Sequence, residues 1–245
     1  MATIDLADPA TPPLRARRLD DVRPLVVLDG DDTLWFVEVL YDRARASVAN
    51  YVTRHNLNAE RWDRLQRSID VQNVARFGLS KERFPTSCIE AFEQISAEFG
   101  FAVTQQMRRD IYRIAASVFE TRAELAPHAE EVLERLHSFA DLVLLTKGDE
   151  TIQRKRIADS GLAHLFSEVY IVEDKSEKSF FDVLHAADVH PADAWSVGNS
   201  LASDVNPALW LGMSAIWIDA HVWEHHAPTR ARRSRWQTCQ ARARG

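Results

Sequence analysis

The chain has 245 residues, 46% of them hydrophobic, which is enough to bury one large domain or a core with a smaller insert and excludes a largely disordered protein. Its net charge is −6, and because residues 229–245 carry six arginines and no acid, the remainder stands at −12. An acidic body excludes nucleic acid as the main partner. No run of about 18 apolar residues could span a bilayer, and MATIDLADPATPPLRARRLDD lacks the apolar stretch of a signal peptide, so a soluble cytoplasmic protein with no membrane partner is expected. Cys88 and Cys239 are far apart and lack metal-ligand spacing, so neither a disulfide framework nor a zinc site is indicated.

Five short apolar runs recur along the chain, each ending in polar or charged residues: LVVLDGDD (25–32), DLVLLTKGD (141–149), EVYIVEDK (168–175), AWSVGNS (194–200) and SAIWIDA (214–220). They read as buried strands whose carboxyl ends share one polar face. Helical patterns at 150–160, 177–188 and 202–211 separate the later runs, so strands alternate with helices and an α/β, Rossmann-like parallel sheet follows. In such sheets ligands bind beyond the carboxyl ends of the strands. Between the first and second runs, helical spacing fills segments 38–54, 58–75, 86–99 and 103–121. The chain returns to the core near Ala126-Pro127-His128, where Pro127 is expected to open a helix over 128–138. The expected organisation is a catalytic core of residues 1–36 and 125–245, an all-helical insert at 37–124, and a basic tail, frayed or solvated, at 229–245.

Asp29, Asp31 and Asp32 crowd the end of the first strand, where like charges raise one another's pKa unless a cation neutralises them. A hard divalent ion with oxygen ligands answers this, and magnesium suits a couple of carboxylates completed by water and substrate oxygens. The alternative is an acidic turn in which Asp32 caps a helix.

LVVLDGDDTLW resembles the first motif of the haloacid dehalogenase superfamily, a hydrophobic strand followed by Asp-x-Asp-x-Thr, with Asp29, Asp31 and Thr33 in register. Thr146 resembles the second motif, Lys175 the third, and GNSLASD (198–204) the fourth, which ends in Asp204. The resemblance spans residues 25–204, and it implies that Asp29 attacks phosphorus to form an aspartyl-phosphate while Asp31 serves as acid and then base. It further implies that Thr146 binds a phosphoryl oxygen, that Lys175 offsets charge, and that Asp29, Asp204 and the Asp31 carbonyl hold magnesium. Asn199 stands where Asp is common, which removes one negative charge, although its oxygen can still contribute. Asp32 stands where many members have Gly, and a capping role is expected for it. Lys178 competes with Lys175 for the third motif, but the aromatic pair Phe180 and Phe181 follows Lys175 at the family spacing.

The insert's position resembles that of a helical cap that closes over the active site, so Arg76, Lys81 and Arg83 around FGLS become candidates to meet an anionic substrate, with solvated surface charge as the alternative. Trp35 and Phe36 either wall the pocket or join the core. Lys147, Gly148 and Asp149 lie beside the pocket by position, with helix entry as the alternative for this turn. HVWEHH (221–226) superficially suggests a transition-metal site, against which the carboxylate-rich magnesium site already accounts for the chemistry. The combined expectation is a magnesium-dependent phosphatase acting on a small phosphorylated metabolite. A dehalogenase would not need the acid at Asp31; a phosphomutase or phosphotransferase would keep the same four motifs, and a non-catalytic binding protein draws support only from Asn199.

Overall fold

The computed structural model describes residues 23–220 and 236–239. Strand β1 (Leu25–Leu28) is the centre of a six-stranded parallel sheet. On one side of it lie β4 (Asp141–Lys147) and then β5 (Glu168–Val172), and on the other β6 (Ala194–Gly198), β7 (Ser214–Ile218) and β8 (Trp236–Cys239). All the pairings are parallel. The apolar runs form strands because alternate residues serve opposite faces. Val26, Leu28, Leu142 and Leu144 join one core cluster, and Leu25, Val27, Val143 and Leu145 join the other. Helices α5 (Ala129–His137) and α6 (Glu150–Ser160) contribute Leu133 and Ile157 to the first cluster, while α7 (Glu177–Ala187) contributes Phe180 and Val183 to the second. The chain runs outward from β1 to β5 on one side and then restarts beside β1 on the other, so the crevice beyond β1 is the switch point at which open α/β sheets bind ligands.

Two elements escaped the sequence reading. Strands β2 (Trp35–Phe36) and β3 (Glu124–Leu125) pair antiparallel, joining the points where the chain leaves the sheet and returns to it. The tail expectation is also corrected: residues 236–239 form β8, with Ala215 opposite Trp236 in register. A basic flank hid this strand because the four-residue run Trp-Gln-Thr-Cys carries little apolar signal. Pro127 does not open α5 either; His128, at φ 62°, precedes the first helical residue, Ala129.

Between β2 and β3 run α1 (Glu38–Arg54), α2 (Ala59–Phe77), α3 (Arg83–Glu98) and α4 (Gln105–Glu120). Asn58 and Thr104 cap α2 and α4 through their side chains, as their chemistry favours. The four helices bury a cluster of their own around Val48, Trp62, Phe84, Phe92, Ile95 and Ile111. The inward face of α2 changes character along its length: Trp62 is followed at helical spacing by Gln66, Asp70 and Asn73, all buried. No helix among the described residues is long and apolar enough to cross a membrane.

Candidate active site

The carboxyl ends of β1, β4 and β6 open into a cavity of about 160 Å³, closed on its far side by residues of α1, α2 and α3. Asp29 follows β1 directly, and its main-chain N–H donates to the Val197 carbonyl on β6 at 2.9 Å, extending the sheet pairing by one residue. One oxygen of its carboxylate accepts from Thr33 Oγ1 at 2.9 Å and the other from Lys175 Nζ. Lys175 also donates to Asp204 Oδ1 at 2.8 Å. All three charged groups are buried. Lys178 is exposed and pairs with Asp182, so it is Lys175 that reaches the carboxylates.

Asp204 is held by the backbone around it. A π-helical turn over Leu201–Val205 follows β6 and turns the chain back on itself; the Ser200 N–H donates to Asp204 Oδ2 at 2.8 Å, and Ser196 Oγ donates to the Asp204 carbonyl at 2.8 Å. A Cβ on Gly198 would run into the Asp204 carboxyl group, so the close approach requires glycine.

These groups shape one another's charge. Burial pushes the Asp29 carboxyl up to about 7, with Lys175 pulling it down and the charges of Asp204 and Asp31 adding to the rise. Burial works against the Lys175 ammonium, but Asp204 and Asp29 outweigh it and hold it above its ordinary value. Lys147 is lowered, by burial first and by Lys175 second. Two acids, Asp29 and Asp204, against one shared lysine leave an excess of negative charge that a cation would relieve. Among the described residues no three His, Cys, Asp or Glu side chains converge as a metal cluster. The donors available here are two carboxylates, Asp29 and Asp204, with the Asp31 carbonyl and Asn199 beside them, a set that fits magnesium's habit of keeping several waters.

Asp31 is engaged at both oxygens. Trp35 Nε1 donates to Oδ1 at 2.8 Å; Gln153 Nε2 at 2.9 Å and Arg156 Nη1 at 2.5 Å donate to Oδ2. Thr146, Lys147, Gly148 and Asn199 line the same cavity; Lys147 Nζ donates to Ser203 Oγ at 2.7 Å. Asp149 caps α6 through the N–H groups of Thr151 and Ile152, which is the helix-entry role. Asp32 takes the capping role too, accepting from the N–H groups of Val37 and Glu38 at the start of α1.

The structure corrects several expected substrate contacts. Arg76 is exposed, pairs with Glu90 and lies over the Phe77 ring, away from the cavity. Lys81 is exposed and does not line it. Arg76 belongs to the outer surface by its phase on α2, and Lys81 lies in the turn between α2 and α3. Arg83 does line the cavity, buried against Asp70. Trp35 is core, 1% exposed, and meets the site only through its indole N–H on Asp31; Phe36 is exposed. HVWEHH lies outside the described residues. Glu38, Tyr41, Arg45, Asp70, Gln153 and Arg156 line the cavity without having been foreseen. The polar stretch on the buried face of α2 was the one signal that pointed to any of them.

A family model described as haloacid dehalogenase-like hydrolase matches residues 24–212. The chain belongs to this hydrolase family. Among curated relatives it is 36% identical over 104 residues to phosphoserine phosphatase of Thermus thermophilus, covering 40% of this chain and 42% of that protein. It is 26% identical over 133 residues to human N-acylneuraminate-9-phosphatase, covering 52% and 54%. The chain thus spans about half the length of the curated relatives it matches. A haloacid dehalogenase-like hydrolase from Xanthomonas campestris superposes with a TM-score of 0.68 at 27% identity over 81% of this chain and 85% of that one. L-2-haloacid dehalogenase from Xanthobacter autotrophicus superposes at 0.54 with 21% identity over 83% and 80%, a likeness of fold alone.

Proposed function

We propose that this family member is a magnesium-dependent phosphatase that hydrolyses a small phosphate monoester through an aspartyl-phosphate on Asp29, with residues 37–124 as a cap over the site. The observation that carries the reading is the meeting of Asp29 and Asp31 in one cavity, the first paired with a buried lysine and the second held by three neutral or cationic donors. A carbon-centred dehalogenation has no use for the second carboxylate. The relatives named phosphoserine phosphatase and N-acylneuraminate-9-phosphatase support the same chemistry.

In this reading an Asp29 oxygen attacks phosphorus while Thr33 and Lys175 fix its carboxylate. Asp31 gives a proton to the departing alkoxide and takes one back from the water that then attacks the aspartyl-phosphate, so an ester and water become an alcohol and phosphate. Lys175, Thr146 and Lys147 stabilise the charge on the transferring group, whose loose transition state rewards positioning. Asp29, Asp204, the Asp31 carbonyl and Asn199 would hold magnesium, which when bound would offset the repulsion between the carboxylate nucleophile and the phosphoryl group. Arg83 and the backbone at Gly148 complete the substrate's surroundings.

The test is turnover of p-nitrophenyl phosphate, which should vanish with excess chelator, return with magnesium, and disappear in Asp29→Asn while the protein stays folded. Full turnover in chelator would remove the metal from the reading. Halide release from 2-haloacids with none from phosphate esters would overturn the phosphatase itself.

A further inference from the structure

In the phosphatase reading Asp31 gives a proton to one oxygen and takes one from another, and the bonds that fix its side chain divide unevenly between its own two. Oδ1 accepts one, from Trp35 Nε1 at 2.8 Å. Oδ2 accepts two, from Gln153 Nε2 at 2.9 Å and Arg156 Nη1 at 2.5 Å. A carboxylate oxygen has about two lone-pair sites, so Oδ2 is filled while Oδ1 keeps one open.

Both Oδ2 donors stand on α6. Asp149 caps that helix just after β4, and Gln153 and Arg156, at positions i and i+3, share the face turned to Asp31. Gln153 Nε2 also donates to the Lys147 carbonyl at 3.0 Å, which ties this face to the end of β4. Gln153 is buried and the Arg156 side chain is 10% exposed. Burial works against the guanidinium, but the charge of Asp31 and the Tyr41 side chain on α1 outweigh it and hold it above its ordinary value. The grip leaves Gln153 Oε1 and Arg156 Nη2 buried without a partner. An open buried group costs at least what a hydrogen bond contributes, and a buried ion pair is by itself a weak source of stability. Stability therefore does not account for two such residues meeting on one oxygen, whereas a role in holding Asp31 does.

We propose that Gln153 and Arg156 are positioning residues that hold Asp31 by Oδ2 and so assign the travelling proton to Oδ1. The inference rests on the phosphatase reading and is tested separately from it. In the first step Oδ1–H gives its proton to the ester oxygen as the bond from Asp29 to phosphorus forms and the bond to the leaving group breaks. In the second, Oδ1 takes a proton from water as the water oxygen bonds to phosphorus and the Asp29–phosphorus bond breaks. With magnesium, kcat/KM, which follows the first step, is measured for p-nitrophenyl phosphate and for the fastest alkyl ester in a panel of sugar, polyol and amino-acid phosphates. Arg156→Met and Gln153→Met each remove a donor and keep an unbranched side chain. A misaligned acid is felt most by the leaving group that needs its proton, so the alkyl-to-aryl ratio should fall by about a hundredfold in Arg156→Met and by less in Gln153→Met. Arg156→Lys still offers a charged donor and should recover about tenfold of that loss. With p-nitrophenyl phosphate the second step should lag in Arg156→Met, giving a burst of about one nitrophenol per enzyme. In an Asp31→Asn background Arg156→Met should leave the ratio unchanged, because effects that pass through one group do not add. Equal losses on both esters with no burst, or a full further loss in that background, overturn the positioning role and leave the phosphatase standing. Should Arg156→Met not fold, Gln153→Met carries the same comparison. No phosphate release by the parent from any ester, the aryl ester included, overturns both readings.

Discussion

The strand ends and the helical insert face each other across one cavity, and only the strand ends use the backbone to hold their charged groups. At the strand ends the backbone shares the holding with Thr33 and Lys175: Asp29 continues the sheet pairing, and Asp204 is fixed by the Ser200 N–H and by the missing Cβ of Gly198. On the insert, side chains hold side chains, through Glu38, Arg45 and Asp42 in one group and Asp70 with Arg83 in another. A backbone-built site needs neighbours in sequence and so tolerates little change. A wall built from side chains on three helices can be rewritten one residue at a time.

The largest effect is expected where this wall is broken. Asp70→Ala removes the carboxylate from a buried pair with Arg83 and should cost about 3–5 kcal/mol in stability. Arg76→Ala, on the same helix, breaks only the exposed pair with Glu90 and should cost less than about 1 kcal/mol. Urea unfolding of the two variants measures the gap. Equal costs would mean that the wall stands on its apolar cluster around Phe84 and Phe92 rather than on its ion pairs.

At the strand ends the corresponding probe is kinetic. Asp31→Asn keeps the main-chain carbonyl and most of the contacts from Trp35, Gln153 and Arg156, but it cannot carry a proton. Alkyl phosphates, with basic leaving groups, should react about a hundredfold more slowly, or about 2.7 kcal/mol of barrier. Aryl phosphates should be less impaired in the first step, so phosphorylated Asp29 should accumulate and be seen as added mass after an acid quench. Alkyl ester hydrolysis at the parent rate would take the proton-carrying role away from Asp31.

The same contrast explains what could be read in advance. Asp29 and Asp31 crowd the end of an apolar run and are legible as an acidic cluster, Thr146, Lys175 and Asp204 are legible only through the resemblance to the family's later motifs, and five strands of the sheet and the four helices of the insert follow from period. Arg45 and Arg156 were not legible because a charged residue on a helix looks the same whether it faces water or a cavity. Arg76 and Arg83 illustrate the limit: they flank one turn, seven positions apart, and only the phase of α2 against α3 sends one outward and the other in. Strand β8 was missed because its partner, β7, supplies the reason for its pairing and nothing local does.

The smallest effect sharpens the boundary between the two regions, at Asp32, where the strand end hands the chain to α1. Its Oδ1 accepts from Val37 N at 2.8 Å and Glu38 N at 3.1 Å, and its backbone sits at φ 56°, where Asn and Asp are tolerated better than most residues. Burial raises this carboxyl from 3.8 to about 6, against the pull of the Glu38 and Val37 N–H bonds and with some help from the charges of Asp31 and Glu38. A folded-state value above the unfolded one means that the folded protein holds the proton more tightly. The stability this contributes is full below about 3.8 and is lost as pH rises through about 6. Asp32→Asn keeps an oxygen for both N–H groups and the same backbone preference, but has no charge to bury. The melting temperature of the variant minus that of the parent should therefore climb between pH 4 and pH 7, by roughly 2–4 °C for each kcal/mol involved in a chain of this size, and then level off. A difference that stays flat across that range, or falls, would mean that the two backbone N–H groups hold Asp32 ionised throughout and that its burial costs the fold nothing.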